Sequence, residues 1–224
     1  MKINVILFGA TGMVGEGVLL EILNHQEVES ILIIVRRPSG FIHTRVKEII
    51  HTDFFEYTSI EDQLKGYDAC FFCLGTTSIG KKEIEYTLAT YDLTMSAAQT
   101  LCKQNPEMIF CYVSGYGTDS SETGKSMWAR VKGKTENDLM KLPFKAVFNF
   151  RPGFIKPIKG QERAFKIAQV FGLIYPLLNL LFSKFVCSME DIGCAMIYVS
   201  TKGYSKNILE NRDITKLGKI LKPS

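Results

Sequence analysis

No apolar run in this chain is long enough to make a comfortable transmembrane helix. The most apolar stretch, Ile167–Ser183, carries no charge, but Gly172, Pro176 and Asn179 interrupt it and it falls short of the roughly 20 residues that a span requires. A block of one charge sign is also missing: 27 Lys and Arg stand against 23 Asp and Glu, and the formal excess of +4 gathers mainly in the lysine-rich C-terminal tail. Without a basic footprint, no nucleic-acid partner is expected. The opening Met1-Lys2-Ile3-Asn4-Val5 runs straight into a strand pattern and lacks the apolar stretch and cleavage site of a secretory signal, so a cytoplasmic location is expected. Six cysteines show no disulfide or metal spacing apart from Cys70-x-x-Cys73, and a strand sends those two side chains to opposite faces. Buried, reduced thiols and no metal site are the expectation. There is no internal repeat, low-complexity segment or flexible linker, so residues 1–224 read as one domain.

What is present is an ordinary globular composition, 46% hydrophobic and 22% charged, which supports a single sizeable core. Short apolar runs at Ile3–Phe8, Ile31–Val35, Val46–Ile50, Ala69–Leu74, Met108–Val113 and Ala146–Phe150 read as buried parallel strands. Helical spacing lies between them, at Val14–Leu23, Tyr91–Leu101 and Trp128–Leu142. This alternation predicts an α/β Rossmann fold, a doubly wound parallel sheet flanked by helices. After Arg151-Pro152-Gly153 the pattern changes to an apolar stretch over Ala164–Phe185, a helix over Met189–Val199 and a closing strand at Asn207–Glu210. The division expected is a cofactor core over 1–155 and a small, helical, substrate-side region over 156–224.

The strongest motif is Gly9-Ala10-Thr11-Gly12-Met13-Val14-Gly15, placed between the first strand and the first helix. Gly9 allows a sharp turn, Gly12 lets the backbone approach a pyrophosphate, and Gly15 permits close packing of helix on strand. Thr11, Met13 and Val14 complete the phosphate cradle, at a helix terminus that carries about half a positive charge. Arg36-Arg37 closes the second strand where a protein specific for NAD places a carboxylate. Two guanidinium groups there suit a 2′-phosphate, so NADP (NADPH) is the expected cofactor. Asp53 and Phe54 follow the third strand and are expected beside the adenine, the carboxylate accepting from its amine and the ring packing on the base. Leu74, Gly75, Thr76 and Thr77 end the fourth strand at the carboxyl edge of the sheet, where such folds bind ligands.

These motifs, with Cys73, Ser114, Val131-Lys132-Gly133-Lys134-Thr135-Glu136 and Arg151-Pro152-Gly153, resemble the atypical short-chain dehydrogenase/reductases. Within that family the chain is most similar to the Tat-interacting-protein-like oxidoreductase branch. The resemblance implies a preference for NADP and an active site built from Ser, Tyr and Lys. Ser114 takes the place of the serine that hydrogen-bonds a substrate carbonyl, and Lys132 that of the lysine on the nicotinamide ribose. Pro152, Gly153, Phe154 and Ile155 are then expected near the nicotinamide.

The tyrosine four residues before that lysine is replaced by Trp128. An indole N–H donates a hydrogen bond but does not ionise, so it cannot act as a general acid. Two readings follow: Tyr116, in the loop after Ser114, supplies the hydroxyl, or the site binds cofactor without turnover. The expected partner is a small, fairly apolar carbonyl or alcohol. The Ile167–Ser183 stretch is expected to wall an apolar pocket, to form a homodimer contact, or to touch a membrane, in that order.

Overall fold

Successive side chains of a strand leave on opposite faces, so a strand covered on both sides has to be apolar throughout. β1 (Ile3–Phe8) meets this apart from Asn4, whose side chain bonds Asp68 and Ser30: Ile3, Val5 and Leu7 enter one core cluster while Ile6 and Phe8 enter the other. The computed structural model describes residues 2–158, 161 and 185–221. The Ile167–Ser183 stretch, and all of Ala164–Phe185 except Phe185, lies outside the described residues.

The other strands are β2 (Val28–Val35), β3 (Val46–Ile50), β4 (Ala69–Phe72), β5 (Ile109–Val113), β6 (Ala146–Arg151), β7 (Phe154–Lys156), β8 (Val186–Ser188) and β9 (Ile208–Glu210). Seven of them form one parallel sheet in the order β3-β2-β1-β4-β5-β6-β9, and β7 and β8 pair in a small sheet of their own. The winding direction reverses between β1 and β4. A crevice opens there, outside the carboxyl ends of the strands.

Six helices flank the sheet among the described residues: α1 (Met13–Ile22), α2 (Glu83–Thr87), α3 (Leu93–Gln104), α4 (Met127–Leu139), α5 (Met189–Lys202) and α6 (Asn211–Leu221). The face bearing Val5, Leu7, Ile33 and Phe71 is covered by Val18, Leu19 and Ile22 of α1, by Ile192, Met196 and Val199 of α5, and by Ile214 and Leu217 of α6. The face bearing Phe8, Ile34, Phe72 and Tyr112 is covered by Ala98 and Leu101 of α3, Leu139 of α4, and Ile60 and Leu64 of a 3-10 turn at Thr58–Leu64. The expected doubly wound α/β fold is therefore present.

Boundaries differ from the sequence reading where neighbours decide them. β4 stops at Phe72 rather than Leu74 because the Gly9 turn sits against Cys73 and Leu74. The helix expected over Tyr91–Leu101 begins earlier, as α2, and passes through a π turn at Leu88–Asp92 into α3. Such turns often sit at functional sites, and here Ala89 and Leu93 face the crevice. α5 starts at Met189, as expected, because Ser188 and Asp191 form a reciprocal cap: Ser188 Oγ accepts from the Asp191 amide at 3.1 Å and the Ser188 amide donates to Asp191 Oδ2 at 2.8 Å. All six cysteines are free thiols, and Cys70 and Cys73 pack against opposite clusters.

Candidate functional site

At the end of β1 the chain must turn within four residues and start a helix in close contact with the turn. Gly9 takes φ +83°, and a Cβ on it would lie 2.8 Å from the Cys73 carbonyl carbon. A Cβ on Gly15 would lie 2.0 Å from Gly9 O. The first turn of α1 is thus clamped onto the glycine turn. The Gly12 amide donates to Gly9 O at 2.8 Å, and Gly12 opens the helix without a side-chain cap. The amides of Met13, Val14 and Gly15 form the start of the helix beside the crevice, the arrangement that binds a phosphate. Gln161, buried after β7, donates its Nε2 to the Met13 carbonyl and ties that first turn to the later chain.

Three hollows join along the carboxyl edge of the sheet. The first, about 650 Å³, is lined by Thr11, Arg36, Arg37, Pro38 and Thr52. The second shares Arg36 and Thr52 with it and continues past Asp53, Phe54, Phe55, Leu74, Gly75 and Thr76. A third, about 430 Å³, shares Leu74 and Gly75 and ends among Ser114, Tyr116, Lys132, Pro152, Phe154 and Ile155, with Val14 on its wall. Asp53 accepts from the Phe55 amide at 2.9 Å, an ordinary turn contact. Phe54 turns inward instead of presenting its ring: it is 5% exposed and packs edge-on against Phe8, while Phe55 stands 46% exposed. Both rings border the groove, Phe55 with the larger exposed surface. Thr77 lies outside the hollows, and its Oγ1 accepts from the Ile79 amide at 3.2 Å.

The β5–β6 pairing continues past the strand ends, where the Ser114 amide donates to Phe150 O at 2.9 Å and the Tyr116 amide to Pro152 O at 2.8 Å. These bonds draw the Ser114 loop alongside Arg151-Pro152-Gly153. Ser114 Oγ donates to Glu136 Oε1 at 2.5 Å, and Glu136, fully buried, also accepts from Arg151 Nε at 3.1 Å and Nη2 at 2.5 Å. Arg151 reaches on to Ser120 Oγ at 2.5 Å and Glu210 at 3.3 Å. Lys132 Nζ donates to the Ser114 carbonyl. Glu136 and Arg151 stand in recognisable motifs that by themselves assign them no role. The signal was there: Glu136 lies one helical turn beyond Lys132, on the same face.

Burial lowers the Lys132 pKa to about 8, against an opposing pull from Glu136. Between about 8 and about 10.4 the unfolded chain holds a proton that the folded chain has released, so stability rises with pH across this window. Lys132→Met is expected to gain about 1–3 kcal/mol at pH 7, the gain shrinking above pH 8 and vanishing near pH 10.4. Urea unfolding at several pH values measures it, and a gain independent of pH would contradict the buried-cation account.

Tyr116 is 53% exposed, lines the third hollow and sets its ring edge-on to Phe185 at 5.0 Å. Trp128 is not among the residues lining that hollow. Its ring tip lies 3.6 Å from the Cβ position of Gly117, behind the Tyr116 loop. Cys73 also reaches the hollow, but burial pushes its thiol pKa far up and keeps it protonated, hence a poor nucleophile.

No family model matches the chain. It is 26% identical to the protein HTATIP2 of Rattus norvegicus over 223 residues, 96% of this chain and 89% of the relative. It is 24% identical over 200 residues to "Protein FMP52, mitochondrial" of Debaryomyces hansenii, covering 88% and 87% of the two chains. The resemblance to the Tat-interacting-protein-like branch is borne out. Among solved structures, an oxidoreductase of the short-chain dehydrogenase/reductase family from Burkholderia thailandensis superposes with a TM-score of 0.70 at 11% identity, over 96% of this chain and 93% of that one. The Bordetella bronchiseptica enzyme WbmF, solved in complex with NAD+, superposes at 0.66 and 14% identity over 98% and 78%. The fold is the α/β Rossmann fold shared with these solved structures. The expected cytoplasmic location is corrected by these relatives, since FMP52 proteins of several fungi are named mitochondrial. That expectation tested only for a secretory signal, which has no bearing on delivery to mitochondria.

Proposed function

We propose that the chain binds NADP(H) along the three joined hollows and reduces a small, fairly apolar carbonyl compound, or oxidises the corresponding alcohol. The observation that carries this reading is the continuous trough from Arg36 and Arg37, past the start of α1, to Lys132 and Tyr116. The residues fit the group: the Gly9–Gly15 clamp leaves main-chain amides for a pyrophosphate, and paired guanidiniums line the hollow where a 2′-phosphate belongs. NADPH, when bound, supplies the hydride.

The protein's own groups supply position and proton. The Ser114 hydroxyl is held between Glu136 at 2.5 Å and the Phe150 carbonyl at 3.1 Å, so Ser114 anchors the loop that carries Tyr116 and holds Lys132 through its carbonyl. Of the proton-bearing side chains on the hollow, the Cys73 thiol is held protonated by burial and Ser114 is bonded to Glu136, which leaves Lys132 and Tyr116 as the proton donors. With the cofactor bound, Tyr116 or Lys132 would give the carbonyl oxygen its proton as the carbonyl is reduced to the alcohol. The apolar wall of Val14, Val113, Phe154 and Ile155 favours a substrate with little charge.

Arg36→Ala/Arg37→Ala is expected to weaken NADP binding about 10- to 100-fold in calorimetry while leaving NAD nearly unchanged. Equal losses for both cofactors would remove the basis for NADP preference. Trp128 favours a second reading, a cofactor-bound module without turnover. NADPH oxidation by the wild type over a carbonyl panel, abolished in Tyr116→Phe or Lys132→Met, supports the enzyme. A wild type that is silent, with turnover appearing in Trp128→Tyr, supports the module.

A further inference from the structure

Away from the trough, at the other end of α1, three donor atoms of different chemistry converge. Glu21 Oε1 and His25 Nε2 lie 2.9 Å apart, and Cys194 Sγ, carried by α5, lies 3.2 Å from the first and 3.3 Å from the second. All three residues are buried. Glu21 and His25 stand one helical turn apart at the end of α1, whereas Cys194 is 169 residues beyond His25, so no spacing motif announces the group.

We propose that Glu21, His25 and Cys194 form a binding site for zinc(II). The donor set of carboxylate oxygen, imidazole nitrogen and thiol sulfur is one that zinc accepts, and it suits magnesium or calcium poorly. Zinc bonds of about 2.0–2.3 Å define a tetrahedral face with edges of about 3.3–3.7 Å, so the observed triangle needs to open by only a few tenths of an ångström. A water fills the fourth position. On binding, the thiol proton and any proton on His25 Nε2 leave to solvent.

The surroundings favour such a site. Glu27 Oε2 lies 3.7 Å from His25 Nδ1, within ion-pair reach of the ring's outer nitrogen, and a small approach would make it the outer carboxylate of a metal-bound imidazole. Arg45 Nη1 donates to the carbonyls of His25 at 3.0 Å and Val28 at 2.8 Å and fixes the turn that carries the imidazole. The two helices are pressed together by Gly17, where a Cβ would meet Met189 at 2.6 Å, and by Gly193, where it would meet Glu21 at 2.7 Å. In this apolar seam an acid, a base and a thiol are expensive to bury for packing alone. A shared cation offsets that cost and staples α5 to the helix that opens the cofactor cradle. Glu21 is nine residues from Gly12, roughly 13 Å along the helix, so the site stands apart from the cofactor.

The test is titration of the chelator-treated full-length protein with cobalt(II) as the spectroscopic probe and zinc(II) as the competitor. The expected result is one equivalent of cobalt, a thiolate-to-cobalt charge-transfer band, visible bands of tetrahedral intensity, and displacement of cobalt by zinc. Cys194→Ser is expected to lose the charge-transfer band, and zinc is expected to raise the melting midpoint of the wild type but not of Cys194→Ser or His25→Gln. NADP titration of Cys194→Ser is expected to match the wild type, which keeps this outcome separate from the fate of the cofactor reading. Less than a tenth of an equivalent of cobalt in the wild type, or equal cobalt spectra for wild type and Cys194→Ser, would overturn the proposal and leave a hydrogen-bonded triad.

Discussion

Gly15→Ala is expected to abolish cofactor binding and to destabilise the fold by about 1–3 kcal/mol or more. The new methyl group would fall 2.0 Å from Gly9 O and 2.4 Å from Gly9 C, both backbone atoms, with no flexible side chain to give way. Either α1 lifts off the turn or the turn opens, and both scatter the amides that face the phosphates. Gly12→Ala is the control, because its Cβ would approach only Gly9 O, at 3.3 Å. It is expected to retain most of the stability. Urea unfolding and calorimetry with NADP read the pair, and a Gly15→Ala protein that binds like the wild type would show that α1 is not clamped as described.

Glu136→Leu is expected to cost about 3–5 kcal/mol, since it leaves the Arg151 guanidinium buried without its main counter-charge. Arg151 is 9% exposed and Glu136 fully buried, so water does not take over the lost partner. The contact with Glu210 at 3.3 Å remains, but that carboxylate is 48% exposed and offsets little. Arg151→Met should cost a similar amount alone, and the double variant should recover most of the loss, because an apolar pair avoids the burial of charge. Turnover should not recover with it: without Glu136 the Ser114 hydroxyl keeps only the Phe150 carbonyl at 3.1 Å, and the loop carrying Tyr116 loses an anchor. Single costs that simply add in the double variant would show that the two charges are not coupled.

Both predictions concern residues whose importance is only partly visible in the chain. The glycine turn was readable because its meaning is local: a strand, a tight reversal and a helix occupy the twenty consecutive residues Ile3–Ile22, and only glycine meets the backbone demands at Gly9 and Gly15. The Arg36-Arg37 pair was equally local, placed at the end of β2 by the strand itself. Phe54 was harder. Asp53, Phe54 and Phe55 follow β3 in succession, and which ring turns inward depends on Phe8 and Tyr57 packing beneath it, contacts that periodicity does not encode. The partners of Ser114, Glu136 at 2.5 Å and the Phe150 carbonyl at 3.1 Å, come from distant positions that its local motif does not announce.

By itself, the sequence determined the parallel sheet, its helical layers and the cofactor turn. Those depend on near neighbours in the chain: apolar runs that need cover on both faces, and glycines where a side chain has no room. The tertiary structure alone decided which polar groups share a proton or a charge, as in Ser114–Glu136–Arg151 and Glu21–His25–Cys194. Such pairings are set by where the strand order and helix crossings deliver residues up to 173 positions apart, and the free energy of a buried polar group depends on the partner it meets there rather than on its place in the chain.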